Sequence, residues 1–237
     1  MNSPNSDSKT NNSASGLLKL IAISDQHGYL PDIPPCDFLL LAGDILPVNR
    51  SDRPSFQSNW MNFKLRKWLD KVPARHIIAV AGNHDSIFDG GTKRLVPKNL
   101  RWHYLQDSGV KLEGIKFWGS PHTLPCGDWA FRMPEDRIHL AWEAIPDDTQ
   151  ILLTHQPPFG YGDSPYANPE LHHGCSYLLA RIVALPRLRV HVFGHIHSGH
   201  GYYGRIPEGP EAYNVSLVDC AYLKCFEPTE ILFDPAG

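Results

Sequence analysis

The stretch LLKLIAISDQHG, residues 17–28, sets a nearly unbroken apolar run against Asp25, His27 and a glycine. An apolar run of this length, closed by polar and turn residues, reads as a buried strand. Residues two apart at a strand's end project to the same side, so Asp25 and His27 can aim at one ion while Gln26 points away. A single Asp-x-His also suits a turn or a cap, so its meaning depends on the rest of the chain.

Working outward, four more short apolar runs behave the same way. Residues 38–42 (FLLLA) run into Gly43-Asp44, and residues 77–81 (IIAVA) into Gly82-Asn83-His84-Asp85. Residues 151–154 (ILLT) run into His155, and residues 190–193 (VHVF) into Gly194-His195-Ile196-His197, where two imidazoles repeat the i, i+2 spacing of the first stretch. Ligands of open α/β sheets collect outside the carboxyl ends of the strands, so five such exits can deliver their side chains to one cleft. Taken one at a time, Asp44 and Asn83 are good cap residues and His155, ahead of Pro157-Pro158, suits a loop. Taken together, five polar exits in sequence order point to a metal site. Its donors are all nitrogen and oxygen, which suits Mn, Fe, Zn, Ni or Co.

The intervening sequence fills in a layered α/β protein. Helical spacing predicts helices over residues 51–72, with Phe56, Trp60, Phe63 and Trp68 packing on a sheet, and over residues 135–145 and 175–185. Residues 110–112 and 115–118 around Glu113-Gly114 predict a hairpin, and residues 212–218 and 231–233 further strand. Residues 121–134 and 157–169, rich in Pro and Gly, are expected as loops over the cleft. There Trp129, Phe131 and Phe159, with Trp102, Tyr104 and Trp118, are candidates for a stacking wall, although most are expected in the core. His172 and His173 are expected to face solvent, Arg50 to be a solvated loop charge, and His200 is weighed as a substrate contact.

Composition narrows the classes. Apolar residues make up 42% and charged residues 20% of the 237, as in soluble globular proteins, and the net charge of -3 offers no broad basic face for nucleic acid. No run approaches 18 apolar residues, so no membrane partner is expected. Residues 1–16, MNSPNSDSKTNNSASG, read as a disordered tail without a secretory signal, and residues 17–237 as a single domain. The five cysteines, Cys36, Cys126, Cys175, Cys220 and Cys225, are odd in number and hold no Cys-x-x-Cys, so reduced thiols and a cytoplasmic location are expected.

The five blocks Asp25-Gln26-His27, Gly43-Asp44, Gly82-Asn83-His84-Asp85, His155 and Gly194-His195-Ile196-His197 resemble those of the calcineurin-like metallophosphoesterase superfamily. LLTHQPPFGYGD, GCSYLLARI, HVFGHIHSGHG and NVSLVD resemble its small metallophosphoesterase-domain-containing subgroup, related to cyclic-nucleotide phosphodiesterases. The resemblance implies a four-layer sandwich, two packed mixed β-sheets flanked by helices, with a dinuclear metal site at the strand carboxyl ends. It implies that Asp25, His27 and His197 hold one metal and Asn83, His155 and His195 the other, with Asp44 bridging.

Two divalent ions, two carboxylates and a bridging hydroxide would leave about +1 to attract a phosphodiester. The hydroxide would attack phosphorus, and His84, oriented by Asp85, would act as the catalytic proton donor. The implied substrate is a small phosphodiester such as a cyclic nucleotide. A phosphomonoesterase, a nuclease and a non-catalytic binding scaffold are the alternatives. The monoesterase is disfavoured because Gly43-Asp44-Ile45-Leu46 lacks the Asp-Arg that many superfamily phosphatases carry after this block.

Overall fold

The structure is a computed structural model that describes residues 16–50, 52–125, 127–166, 168 and 170–237. The expected tail, apart from Gly16, lies outside the described residues, as does Cys126. The first three apolar runs form β1 (Leu18–Ile23), β2 (Cys36–Ala42) and β3 (Ala74–Val80), which pair in parallel. The short β4 (His103–Tyr104) extends this sheet in parallel beside β3, and β11 (Thr229–Phe233) closes the other edge antiparallel to β1. The predicted hairpin is β5 (Ser108–Leu112) with β6 (Ile115–Ser120). From β6 the second sheet continues in parallel through β7 (Ile151–Thr154), β8 (Val190–Phe193) and β10 (Glu211–Asn214). The strand β9 (Gly201–Arg205) forms its antiparallel edge.

Alternation along each strand divides the core into three layers. Leu20, Ala22, Phe38, Leu40, Ile78 and Val80 of the first sheet meet Phe117, Ile151, Leu153, Val190 and Val192 of the second. The opposite face of the first sheet, with Ile21, Ile23, Leu39, Leu41 and Ile77, packs on Met61, Leu65 and Leu69. The outer face of the second sheet, with Leu152 and Phe193, packs on α3 (Glu135–Glu143) and α4 (Ser176–Ala184) through Ile138, Trp142, Leu178 and Ile182. Helix, sheet, sheet and helix are thus stacked in four layers. Each buried side chain of Leu or Ile size contributes about 1.5–3 kcal/mol against exposure, and the parallel strands are apolar on both faces because both are covered.

The predicted helix over residues 51–72 is interrupted. It runs as α1 (Pro54–Trp60), a π-helical turn (Met61–Leu65) and α2 (Arg66–Lys71). Its fully buried stripe is Gln57, Met61, Leu65 and Leu69; of the expected aromatics, Trp60 and Trp68 pack half-buried against the same core, whereas Phe63 is 74% exposed. Residues four apart drift by about 40° per step around an α-helix. The wider π turn absorbs part of that drift and keeps the period-four stripe on the sheet.

Candidate metal centre

The five strand exits meet at one edge of the sandwich, three from the first sheet and two from the second. The exits of β1 and β2 run side by side: the Asp25 amide donates to Gly43 O at 2.9 Å and the His27 amide to Asp44 O at 2.9 Å. Ser24 joins the two sheets at this edge, its amide donating to Val215 O at 2.8 Å and its carbonyl accepting from the Leu217 amide at 2.9 Å. Asp25 (φ 51°), His27 (φ 42°), Asp44 (φ 51°) and His195 (φ 71°) are held in the left-handed region, which a non-glycine residue enters at a cost of about 1–2 kcal/mol. Backbone strain is therefore concentrated at these turns.

Two glycines make the close approach workable. A Cβ on Gly43, whose φ is 99°, would lie 2.5 Å from His155 Nδ1, and one on Gly194 would strike the side chains of Ser24 and Asp25.

Donor atoms of Asp25, His27 and His197 lie within 4.8 Å of one another, as do those of Asp25, Asp44 and His155. Asp44 is central. Its Oδ2 is 3.4 Å from His155 Nε2, 3.8 Å from His27 Nε2 and 3.9 Å from His84 Nε2. Asn83 Oδ1 is 3.0 Å from His155 Nε2, and the His195 ring lies 5.0 Å from that of His155. Around Asp25, the His195 amide donates at 3.0 Å and Ser216 Oγ at 2.6 Å. All seven expected ligands are thus brought into one cluster.

Hydrogen bonds set which ring nitrogens are available. His155 Nδ1 is 2.9 Å from Ala42 O and His197 Nδ1 is 2.9 Å from Asp219 O, and since a carbonyl only accepts, both Nδ1 atoms carry the proton. The Nε2 of each neutral ring therefore points a lone pair at oxygen: His155 at Asp44 Oδ2, and His197 at Asp25 Oδ1, 3.4 Å away. His197 Nε2 also faces His27 Nε2 at 3.3 Å. Lone pairs that converge in this way need a positive charge between them, supplied by a proton or by a cation. The arrangement and the all-N/O donor set fit transition-metal ions.

Ionisation follows the same geometry. Burial alone would raise the carboxyls of Asp25 and Asp44, but His197 and His155 respectively outweigh it and hold both well below the ordinary range. Burial opposes charge on His155, yet Asp44 prevails and pushes it up to about 9; His197 is raised over the same opposition by Asp25. Burial lowers His27 to about 4, and burial together with the charge of His155 lowers His195 to about 3. In the metal-free protein the two carboxylates thus favour the charged form of His155 and His197 over that of His27 and His195.

The expectation that Asp85 orients His84 is corrected. The turn closes through the Asp85 amide to Gly82 O, and the carboxylate folds beneath it to accept from the amides of Gly82 (2.9 Å), Leu46 (2.9 Å) and Ile45 (3.1 Å). Asp85 ties the β3 exit to the β2 exit. Burial, with the charge of Asp44, pushes its carboxyl up to about 7 against those three bonds. His84 instead donates its amide to Asp44 Oδ1 at 2.7 Å and packs its ring 4.2 Å from that of Trp129; its Nδ1 has no hydrogen-bond partner among the described residues.

A cleft of about 720 Å³ opens on the cluster, reaching Asp44, Asn83, His84, His195 and His197. Leu124, Pro125, Trp129, Pro134 and Pro165 line it, as expected of the loops over residues 121–134 and 157–169. Of the aromatic candidates, Trp129 is in the cleft, while Trp102, Tyr104, Trp118 and Phe131 pack into the core. His172 and His173 are exposed, as expected, and they also line the cleft mouth, where buried Asp163 accepts from His172 Nδ1 at 2.9 Å and its carbonyl from the His173 amide at 3.0 Å.

His200 is turned away. It donates Nδ1 to Ser216 O at 2.8 Å and stacks on Phe226 at 4.1 Å. Arg50 packs over Phe56, 5.4 Å from the ring centre. Tyr222 went unnoticed in the sequence. Its ring stands 4.8 Å from that of His27 and 5.3 Å from that of His197. Ser216 and Asp219, which steady Asp25 and His197, lie within or beside the NVSLVD stretch whose resemblance was noted.

A protein of Emericella nidulans named "Probable rhamnogalacturonate lyase C" is 32% identical over 197 residues, 78% of this chain but 18% of that protein. Metallophosphoesterase domain-containing protein 1 of Homo sapiens is 30% identical over 235 residues, 87% of this chain and 68% of that protein. A solved dimetal phosphatase of Danio rerio overlays 83% of this chain and 86% of its own at 11% identity, with a TM-score of 0.48. The family description of the calcineurin-like phosphoesterases matches residues 12–199, a span holding all five strand exits and every residue of the cluster, and to that family this chain belongs.

Proposed function

We propose that the protein is a metal-dependent phosphoesterase that hydrolyses a small phosphodiester to a monoester and an alcohol. Asp25, His27 and His197 hold one ion, Asn83, His155 and His195 the other, and Asp44 is shared. The observation that supports this is the convergence of His155 and His197 lone pairs on Asp44 and Asp25, with both Nδ1 protons already committed to Ala42 and Asp219. Bound divalent ions supply positive charge for the phosphoryl oxygens and lower the pKa of a coordinated water. The chain does the rest. The two aspartates offset part of the positive charge, so that the monoester formed is not held too tightly to leave. The Trp129 side of the cleft holds the organic group and excludes water, and His84, in the cleft wall, holds a proton for the departing oxygen.

Four described cysteines, Cys36, Cys175, Cys220 and Cys225, are free thiols, which suits the reducing cytoplasm where we place the reaction. Among the described residues no helix is long and apolar enough to cross a membrane. Metal analysis of the purified protein, combined with turnover of bis-aryl and mono-aryl phosphates with added Mn, Fe, Zn, Ni or Co, tests the proposal. It expects two ions per chain, faster cleavage of the diester, and a loss of about a hundredfold or more in Asp44→Asn. Metal-free protein with no turnover contradicts it, and faster monoester cleavage shifts it to a phosphomonoesterase.

A further inference from the structure

Outside the candidate ligands, the mouth of the main cleft holds a second ordered group, built on buried Asp163. Its carboxylate accepts from the amides of Gly160 (2.9 Å) and Gly174 (3.0 Å) and from His172 Nδ1 (2.9 Å), with Ser164 Oγ 3.2 Å from the same ring nitrogen. Since a carboxylate only accepts, Nδ1 carries the proton, and in the neutral ring the lone pair sits on Nε2. Among the described residues this Nε2 has no hydrogen-bond partner. The Asp163 side chain is 1% exposed and that of His172 33%, so the pinned edge of the ring lies inside and the Nε2 edge meets the cleft. The loop is also fixed to the candidate ligands. Asn214 Nδ2 donates to both Gly162 O and Ile196 O at 2.9 Å, and Ser198 Oγ donates to Ser164 O at 2.9 Å. Asp163 and His172 are thereby anchored to the turn that carries His195 and His197.

A side chain locked by a buried partner, with an uncommitted lone pair facing a cleft, is organised to recognise a hydrogen-bond donor. Other groups in the cleft wall share that bias. Ser198 has its hydrogen committed to Ser164 and presents lone pairs, and Glu135 offers a carboxylate. Gln156 is occupied at both ends, accepting from the Leu124 amide at 2.9 Å and donating to His173 O at 2.7 Å. Among the described residues no lysine or arginine lines the cleft, so a negatively charged organic group would find neither to pair with. We propose that His172 is a specificity residue whose Nε2 accepts a hydrogen bond from a hydroxyl or N–H on the organic arm of the substrate, selecting esters that carry such a donor. An arm without it leaves Nε2 unpaired, which is the basis of the discrimination. The proposal rests on the phosphoesterase reading above and narrows its substrate.

Meta- and para-hydroxyphenylphosphonate, each compared with its methyl ether, test this as non-hydrolysable, one-armed probes. Both oxygens of a pair can accept, but only the hydroxyl donates. Calorimetry on the metal-loaded protein at about pH 8, above the ordinary imidazole range, is expected to find one of the hydroxyl probes bound about tenfold tighter than its ether. His172→Phe keeps a ring beside Phe159 and removes the acceptor, and is expected to equalise that pair. His172→Lys, which can only donate, is expected to equalise it as well. The position is exposed, and thermal melts of both variants check the fold. Equal affinity within both pairs in the unaltered protein, or a preference that survives either substitution, overturns the role of His172. Failure of the metal-loaded protein to bind any of the probes overturns the phosphoesterase reading, and the role of His172 with it.

Discussion

His84 shows how neighbours define a residue's work. Its backbone amide is committed to Asp44, its ring rests on Trp129, and Nε2 is within 3.9 Å of the central carboxylate. A proton donor matters most where the departing oxygen is a poor leaving group. His84→Ala is therefore expected to slow an alkyl diester about a hundredfold more than a nitrophenyl diester, read as kcat on the two substrates. Equal losses would remove His84 from the proton-transfer role. The candidate ligands were legible only together, as polar exits of five apolar strands and through their resemblance to the family's blocks; singly, Asp44, Asn83 and His155 suit caps and loops as well. Asp85 was read as the partner of His84, and its true partners were not legible, since a carboxylate in a tight turn can reach either the next ring or the amides beneath. The exposure of His172 and His173 was legible from their polar loop, but their place at the cleft mouth was not, since it is set by Asp163, nine residues before His172.

Elements were legible to the extent that burial wrote a pattern into them. β1, β2, β3, β7 and β8 are apolar on both faces and could be read directly. β9, a largely exposed Gly-Tyr-Tyr-Gly-Arg edge, and β4, two residues long, lack such a pattern and were missed. In the helical segment Trp60 and Trp68 pack on the core as expected, but the fully buried stripe of Met61, Leu65 and Leu69, kept in line by a π turn, was not read. The turn after β8 depends on a missing side chain. Gly194→Ala places a methyl group against Ser24 and Asp25, and is expected to lower stability by about 1–3 kcal/mol and to strip the metal in which Asp25 takes part. Thermal melts and metal content check this together. Full metal occupancy at unchanged Tm would show that the close approach is not required.

The four layers came from resemblance rather than from periodicity, because a buried parallel strand looks the same whichever sheet it joins. Only the structure distinguishes the two partners of each face. One consequence is acid sensitivity. His191 on β8 is fully buried, its ring 4.9 Å from Phe193 and its Nε2 2.8 Å from Thr154 Oγ1, and burial lowers its pKa to about 3. A histidine neutral in the folded state and free to protonate when unfolded costs nothing above its unfolded pKa, about 6.5. As pH falls from there towards 3, the unfolded chain binds the additional proton and stability is lost at about 1.4 kcal/mol per pH unit. Urea unfolding between pH 7 and 4 should therefore show a slope one proton shallower in His191→Gln. Identical slopes would mean that His191 protonates while folded.

The central claim, that an imidazolium proton in this cluster holds a place a cation takes, is tested most directly by counting protons released when metal binds. Chelator-stripped protein at pH 7.5, titrated with a divalent ion by calorimetry in buffers of different ionisation enthalpy, is predicted to release about one proton or more per chain, His155 being the first source. Asp44→Asn, which removes the partner that raises His155, is predicted to release fewer. Tight metal binding without proton release, or release unaltered in Asp44→Asn, would contradict the account.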